Sequence, residues 1–507
     1  MIDNIITAID HYGETDPERI CYIYGQDTNT YGELKTKSDH LAQYFAQSEL
    51  PDGAPVMVFG GQTFEMIVTF LGLVKSGHAY IPVDTHSPNE RLTQIDSIAH
   101  PAAVVAVADL PIEMPDLKNF THADLAAAVQ TGTDGYDHDK AVAGADNYYI
   151  IFTSGTTGLP KGVQISHANL LSYVNWAVND FDLHEGVHAL SQAPYSFDLS
   201  VMDLYPTLVL GGKLSALPRA VTENFKKLFE VLPNLKINEW VSTPSFVEIC
   251  LLEPTFDAAH YPDLTHFLFC GEELTNKTAA NLQKRFPDAE IYNTYGPTET
   301  TVAVTGVKLT PEILKDYERL PIGYAKEDMK IWVVDEQGAA VKPGTTGELY
   351  IAGPSVSKGY LNNPAKTEKA FFTEDGQQAY RSGDLGFVND KGLFFYRGRT
   401  DFQVKLHGYR IELEDIDHNL DQVKYVKQAT TAPKYNAAHQ VTQIVAYVVP
   451  NQNDFKDEFA LTQAIKKELG QEVMSYMIPK RFVFRDQLPL TANGKVDRKA
   501  LIAEVNK

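Results

Sequence analysis

The chain has 507 residues, 44% hydrophobic and 22% charged, close to globular averages, which excludes disorder, collagen and coiled coil as its main class. At roughly 100–200 residues per domain, this length predicts more than one domain and ample core without staples. Its 44 Lys+Arg against 66 Asp+Glu leave a formal charge of -22, which argues against general nucleic-acid binding, since that needs a basic surface.

The charge is spread unevenly. Residues 401–507 carry 15 basic and 14 acidic side chains, whereas residues 1–400 carry 29 and 52, which suggests two bodies with different tasks. Three cysteines, Cys21, Cys250 and Cys270, cannot form a disulfide framework, and none sits in a C-x-x-C pair. A reducing, cytoplasmic setting is the expectation. Asp3 and Asp10 stand where a signal peptide would need basic and then apolar residues, and no run approaches about 20 apolar residues, so no membrane insertion is expected. The sequons at Asn119 and Asn276 are read as chance.

Strand-like and helix-like segments alternate over the first 400 residues. Val56–Phe59 reads as a strand, Phe64–Lys75 as a helix, and Ala102–Val107, Tyr148–Thr153, His266–Cys270 and Ala289–Thr294 as buried strands. This alternation predicts an α/β architecture with partly parallel sheets. Between 345 and 400, Gly347–Ala352, Gly386–Val388 and Leu393–Tyr396 read as short strands between turns, a smaller β-rich portion. After Arg399 the pattern becomes α+β: Glu412–Leu420 helical, Gln443–Val449 extended, Leu461–Leu469 helical. The expected organisation is a large N-terminal domain over 1–398, a hinge at 399–401 and a small mobile C-terminal domain over 402–507.

The strongest local signal is Tyr149-Ile150-Ile151-Phe152-Thr153-Ser154-Gly155-Thr156-Thr157-Gly158-Leu159-Pro160-Lys161-Gly162. An apolar strand runs into hydroxyls and glycines with one lysine. Glycines let backbone N–H groups approach a phosphate, hydroxyls add donors and lysine adds charge. The order is not that of Walker A, and G-x-G-x-x-G occurs nowhere in the chain. The alternative is a flexible surface turn.

His184-Glu185-Gly186-Val187-His188 matches H-E-x-x-H. A zinc protease needs both histidines on one helical face, and Gly186 costs about 1 kcal/mol in a helix. Residues 187–193 read better as a strand, so a zinc-protease site at this motif is rejected. Asp198, in Phe197-Asp198-Leu199-Ser200, places a carboxylate among apolar residues and calls for a cationic partner, either a side chain or a ligand ammonium. Asn293-Thr294-Tyr295-Gly296-Pro297-Thr298-Glu299-Thr300 combines an aromatic face, a turn, hydroxyls and an acid, able to serve stacking, phosphate bonding and Mg²⁺ coordination. Tyr380-Arg381-Ser382-Gly383-Asp384 reads as a short strand ending in an acid suited to vicinal hydroxyls. Gly398-Arg399-Thr400-Asp401 lies at the expected boundary, and Asn493-Gly494-Lys495 puts a lysine after a tight turn. Taken singly, each of these reads as a turn or as surface charge.

Together and in this order, the segments resemble the adenylate-forming superfamily of acyl-CoA synthetases, luciferases and peptide-synthetase adenylation domains, from about Tyr31 to Lys499. The resemblance implies ATP-dependent activation of a carboxylate to an acyl-adenylate, with Mg²⁺, followed by acyl transfer to a thiol. It implies a phosphate loop with Thr153, Ser154 and Lys161, and a nucleotide site lined by Asn293, Thr294, Tyr295, Gly296, Pro297 and Thr298. Tyr295 would stack on adenine, Glu299 would hold Mg²⁺ and Asp384 would bind the ribose hydroxyls. Arg399, with Tyr396, Arg397 and Gly398 beside it, would assist there. Lys495 would bridge the substrate carboxylate and the α-phosphate, cancelling charge where two anions meet. An aspartate matching Asp198 marks the amino-acid-activating branch, where it pairs with the α-ammonium.

The closer resemblance is to the ligases that charge a carrier protein with D-alanine in teichoic acid D-alanylation, carried by Tyr195–Asp203, Phe269–Leu274 and Lys405–Arg410. It implies that Cys270 and Val302 line a small pocket beside the substrate α-carbon, although Cys270 by itself reads as an ordinary buried thiol. The implied partners are D-alanine and a phosphopantetheinylated D-alanyl carrier protein, with the enzyme a monomer. Asp401 matches the superfamily's hinge, about which the small domain would rotate, withdrawing Lys495 and bringing Gly408 toward the thiol. Lys424, Lys427 and Lys434 are candidate docking charges for an acidic carrier. The rival readings are a free-standing peptide-synthetase adenylation domain for another small amino acid, and a catalytically silent nucleotide-binding regulatory protein.

Overall fold

The computed structural model describes residues 1–155, 159–490 and 496–507. The chain divides into two compact units, one of residues 1–85, 99–151 and 162–400, the other of 86–98, 152–161 and 401–507. Segments 86–98 and 152–161 thus group with the C-terminal residues, which local sequence patterning does not reveal.

Two sheets organise the N-terminal part. One has nine strands, in the spatial order Tyr324–Ala325, Thr305–Lys308, Glu290–Tyr295, His266–Phe269, Glu239–Ser242, His188–Ser191, Lys213–Ala216, Ile20–Tyr24 and Asp27–Thr30. Its six middle strands run parallel and its two ends turn antiparallel. The parallel strands are buried along most of their length and carry buried polar residues such as His188, Ser215 and Glu239 among apolar ones. The other sheet has six strands: Lys118–Phe120, Ala103–Ala106, Val56–Gly60, Tyr80–Asp84, Asn147–Thr153 and Lys161–Ser166.

Helix Phe64–Lys75 has the expected bounds, and each of its residues except Glu65 is buried. Lys75 ends it inside the core, where its ammonium donates to Asp10 (2.6 Å), Ser38 (2.9 Å) and Asp39 (2.7 Å), tying together helices Ile5–Thr15, Tyr31–Ala46 and Phe64–Lys75. A buried ammonium survives only with such partners. Helix Tyr31–Ala46 starts in a capping box, Thr30 accepting from the Glu33 N–H while the Glu33 carboxylate accepts from the Thr30 N–H.

The β-rich portion is a five-stranded sheet of Lys330–Val334, Gly347–Ala352, Gln377–Val388, Phe371–Glu374 and Phe394–Arg399. One expectation changes here. Asp384 does not end a short strand; it lies inside the 12-residue strand Gln377–Val388, which also absorbs Gly386–Val388. Glycines mark irregularities rather than ends. The register shifts at Leu385/Gly386, and a Cβ on Gly386 would stand 2.5 Å from the Phe395 carbonyl of the neighbouring strand.

The second unit holds a hairpin of Gln403–Leu406 and Tyr409–Glu412, a sheet of Val426–Tyr435, Val441–Pro450 and Arg481–Phe484, and helices Leu413–Gln422 and Glu458–Glu472. It has its own core around Ile411, Leu413, Ile416, Ile465 and Leu469. Among the described residues no helix is long and apolar enough to cross a membrane. The three cysteines are buried and form no disulfide.

Candidate functional site

In the larger unit, strand Glu290–Tyr295 delivers Tyr295 and strand Gln377–Val388 delivers Asp384. The Tyr295 hydroxyl donates to Asp384 Oδ2 at 2.5 Å, and Arg399 Nη1 donates to Oδ1 at 2.6 Å. Arg399 comes from strand Phe394–Arg399, in direct register with Asp384. All three are largely buried, and burial first, then the Asp384 charge, pushes the Tyr295 phenol up. Tyr396 lies beside them, its ring 6.5 Å from that of Tyr295. One acid, one base and two aromatics from three strands therefore meet at one point, a fixed carboxylate able to accept further donors. Arg397 points elsewhere, over the Phe387 ring, and Gly398 takes φ +114°.

The segment after Tyr295 is tightly folded. Glu299 is fully buried in a short 3-10 turn, with the Tyr360 hydroxyl on its Oε1 at 2.7 Å and its carbonyl bonded to the Ser357 N–H. Thr301 and Val302, both β-branched, take φ +60° and +67°. That conformation is strained for such residues. It is held by Thr301 Oγ1 donating to the Ser355 carbonyl (2.7 Å) and by an Ala303 N–H bond to the Thr301 carbonyl (2.8 Å). Gly296 permits the fold-back, since a Cβ there would lie 2.6 Å from Ala303 Cα and 2.8 Å from the Val302 carbonyl oxygen. The turned Val302 carbonyl accepts from the Cys270 thiol at 3.7 Å. Cys270 and Val302, named together from sequence, are brought into contact.

Asp198 is nearly buried at the start of helix Leu199–Val209 and caps no helical N–H with its side chain. It lies near Tyr149 and Tyr173, whose phenols burial pushes well above the ordinary range; Cys270, Glu239, Asp203 and Asp198 add to the effect on Tyr173. The Tyr149 and Tyr173 hydroxyls are buried with no partner among the described residues. Sequence reasoning missed both, and also Tyr360, because tyrosines inside apolar runs read as packing. Asn293 and Thr294 carry structural bonds, Asn293 to the Pro321 carbonyl (2.7 Å) and Thr294 to the Phe269 carbonyl (2.8 Å). Pro297 and Thr298 form the turn into Glu299.

Close enough to act on the Tyr173 phenol are two acids that sequence reasoning left unassigned. Glu239 is fully buried with neither carboxylate oxygen partnered among the described residues, and burial pushes it up to about 8. Asp203 is held well above the usual range by burial as well.

The residues of the expected phosphate loop belong to the smaller unit. Ser154 Oγ donates to the Arg410 carbonyl (2.8 Å) and accepts from the Glu412 N–H (3.3 Å), and Lys161 Nζ is 3.7 Å from Glu412 Oε1. Thr153 Oγ1 is buried without a partner among the described residues. The strand and hairpin thus hold the two ends of the loop, while Thr156–Gly158 lie outside the described residues. Lys495, with Asn493 and Gly494, also lies outside them. Asp401 accepts from the Gln403 N–H at 3.2 Å, and Gly408 forms the hairpin turn with φ +82°. Lys424 is engaged by Glu468 (3.1 Å) and the Tyr425 ring. The H-E-x-x-H pair is split, with His184 exposed in a loop and His188 buried in a strand against Ser215.

Residues 9–361 match the model of the AMP-binding enzyme family, and residues 415–495 match that of the AMP-binding enzyme C-terminal domain. A D-alanine–D-alanyl carrier protein ligase of Lacticaseibacillus casei is 64% identical over 506 residues, covering 100% of both chains. The ligase of the same name from Streptococcus agalactiae is 50% identical over 512 residues, again covering 100% of both. Among solved structures, the adenylation domain AlmE of Vibrio cholerae, bound to glycyl-adenosine-5'-phosphate, superposes with a TM-score of 0.82 at 23% identity, covering 100% of this chain and 98% of that one. The o-succinylbenzoate CoA synthetase of Bacillus subtilis does so with 0.83 at 18% identity, covering 99% and 98%. From its matched residues, its full-length relatives and its fold, the chain belongs to the AMP-binding enzyme family.

Proposed function

We propose that the protein is an ATP-dependent ligase that activates D-alanine as D-alanyl-adenylate and passes the acyl group to the phosphopantetheine thiol of a D-alanyl carrier protein. The observation that carries this reading is full-length identity of 64% to a ligase of that name. The contact between Cys270 and Val302 supports it, because it brings together the two residues that the resemblance places beside the substrate α-carbon.

In the first half-reaction the D-alanine carboxylate attacks the α-phosphorus of ATP and pyrophosphate leaves. In the second, the carrier thiolate attacks the acyl carbon and AMP leaves. No side-chain nucleophile is needed. Asp198 would hold the substrate ammonium, and Cys270 and Val302 would bound its methyl group. Tyr295, fixed through its hydroxyl, would present its ring to adenine, while Asp384 and Arg399 would hold the ribose. Thr153, Ser154 and Lys161 would hold phosphate oxygens, and Lys495 would sit between the two anionic reactants.

Glu299 offers a buried, hard oxygen donor, positioned by Tyr360, of the kind Mg²⁺ takes. Bound there, Mg²⁺ would neutralise phosphate charge. Residues 1–398 would form the catalytic body, 399–401 the hinge and 402–507 the lid carrying Lys495. The enzyme would act as a monomer.

The test is carrier loading followed by mass spectrometry, with ATP, a phosphopantetheinylated carrier and each of D-alanine, L-alanine, glycine and serine. D-alanine should load fastest. Faster loading of another amino acid would favour the adenylation-domain alternative, and no amino-acid-dependent ATP turnover would favour a silent nucleotide-binding protein.

A further inference from the structure

Three side chains converge on the larger unit, away from the residues assigned above. His266 and Glu290 open two neighbouring parallel strands and are register partners, so their side chains leave the same face. Asp182 follows helix His167–Asp180 and takes φ +52°. One ligand atom from each of Asp182, His266 and Glu290 lies within 4.8 Å of the other two.

One nitrogen of the histidine is engaged by its neighbour. Thr265 Oγ1 donates to the Asn238 carbonyl at 3.4 Å and lies 2.9 Å from His266 Nδ1. Where Thr265 directs its proton to that carbonyl, it accepts from Nδ1–H and the lone pair falls on Nε2. That Nε2 is buried and has no partner among the described residues. A second atom holding one imidazole nitrogen while the other stays open is the arrangement found around metal-bound histidines. His184 stands at the rim, its Nε2 4.0 Å from Asp182 Oδ1. Glu290 also bonds the Lys308 ammonium and, at 2.5 Å, the Tyr292 hydroxyl.

We propose that Asp182, His266 and Glu290 form a binding site for a zinc-class divalent cation, with His184 placed to supply a fourth donor. One imidazole nitrogen with carboxylate oxygens suits Zn²⁺ and disfavours Mg²⁺ and Ca²⁺, which take oxygen alone. The ion would pin the loop after helix His167–Asp180 to strands His266–Phe269 and Glu290–Tyr295, at the ends opposite to Cys270 and Glu299. Its role is therefore structural.

The experiment titrates the metal-free full chain with Zn²⁺ alone, by calorimetry and by thermal unfolding. The wild type should take up zinc at this site and melt at higher temperature with it. His266→Gln should weaken that uptake by about 100-fold or more, and Asp182→Asn by about 10-fold. Lys308→Met, which removes the ammonium competing for Glu290, should tighten it. The zinc absorption edge should report nitrogen and oxygen neighbours without sulfur. Unchanged uptake in His266→Gln, or weaker uptake in Lys308→Met, would overturn the site; if His266→Gln fails to fold, the Lys308→Met result decides.

Discussion

Tyr295 and Asp384, 89 residues apart in sequence, are joined by a phenol-to-carboxylate hydrogen bond of 2.5 Å, with Arg399 on the other carboxylate oxygen. The carboxylate is therefore fixed before a nucleotide arrives. Tyr295→Phe keeps the ring and removes the hydroxyl. Losing a hydrogen bond to a charged group costs about 1.5–3 kcal/mol, so KM for ATP should rise about 10-fold or more. KM for D-alanine should change little. Steady-state pyrophosphate exchange, varying each substrate in turn, checks both expectations.

Gly296 is the place where the Val302 fold-back touches the preceding strand. Gly296→Ala puts a methyl group against backbone atoms that cannot move aside cheaply. The Val302 carbonyl should shift from Cys270, and kcat/KM for D-alanine should fall by about 10-fold or more, the loss expected from a small misplacement of a positioning group. Discrimination against glycine, measured by the same exchange assay, should weaken.

Glu239 makes the stability depend on pH. Its folded value, about 8, lies above its ordinary 4.5, because burial disfavours the charged form. Between these values the folded chain keeps a proton that the unfolded chain has released. Stability should therefore fall as pH rises through this window, at about 1.4 kcal/mol per pH unit. Glu239→Gln keeps the shape and removes the titration. Urea unfolding at about pH 5 and about pH 8.5 should show the variant gaining on the wild type at the higher pH.

Asp401 stands at the proposed hinge, where a few backbone dihedrals would absorb a domain rotation. Proline there fixes φ near -65°. Asp401→Pro should spare adenylate formation and slow carrier loading. Pyrophosphate exchange and thioester formation, measured on one preparation, separate the two, and equal losses would remove the hinge.

Much of the fold was legible because burial leaves a local imprint. Helix Phe64–Lys75 and strand Gly347–Ala352 have the bounds their apolar patterns predict. The strand through Asp384 did not, because Gly383 and Gly386 look like turn residues; instead Gly383 takes φ +70° within the strand and Gly386 permits close strand approach at a register shift. At the site, the family resemblance named Asp384, Arg399, Cys270 and Val302, and the structure pairs Asp384 with Arg399 and Cys270 with Val302. Tyr360 on Glu299 was illegible, since 61 residues of chain separate two residues that meet only when both loops fold. Glu239 and Asp203 were illegible too, since an acid inside a strand or helix gives no local sign of whether it faces water. The hold of Ser154 and Lys161 on the Arg410–Glu412 strand joins segments over 250 residues apart.

Lys495 carries the central claim, that a cation from the C-terminal part of the chain lets two anions react. The direct measurement is D-alanine-dependent ATP–pyrophosphate exchange by wild type and Lys495→Ala, with folding checked by circular dichroism. The expected result is a fall of about 100-fold or more, as for loss of a group acting where transition-state charge develops. Exchange at the wild-type rate in the folded variant would contradict it.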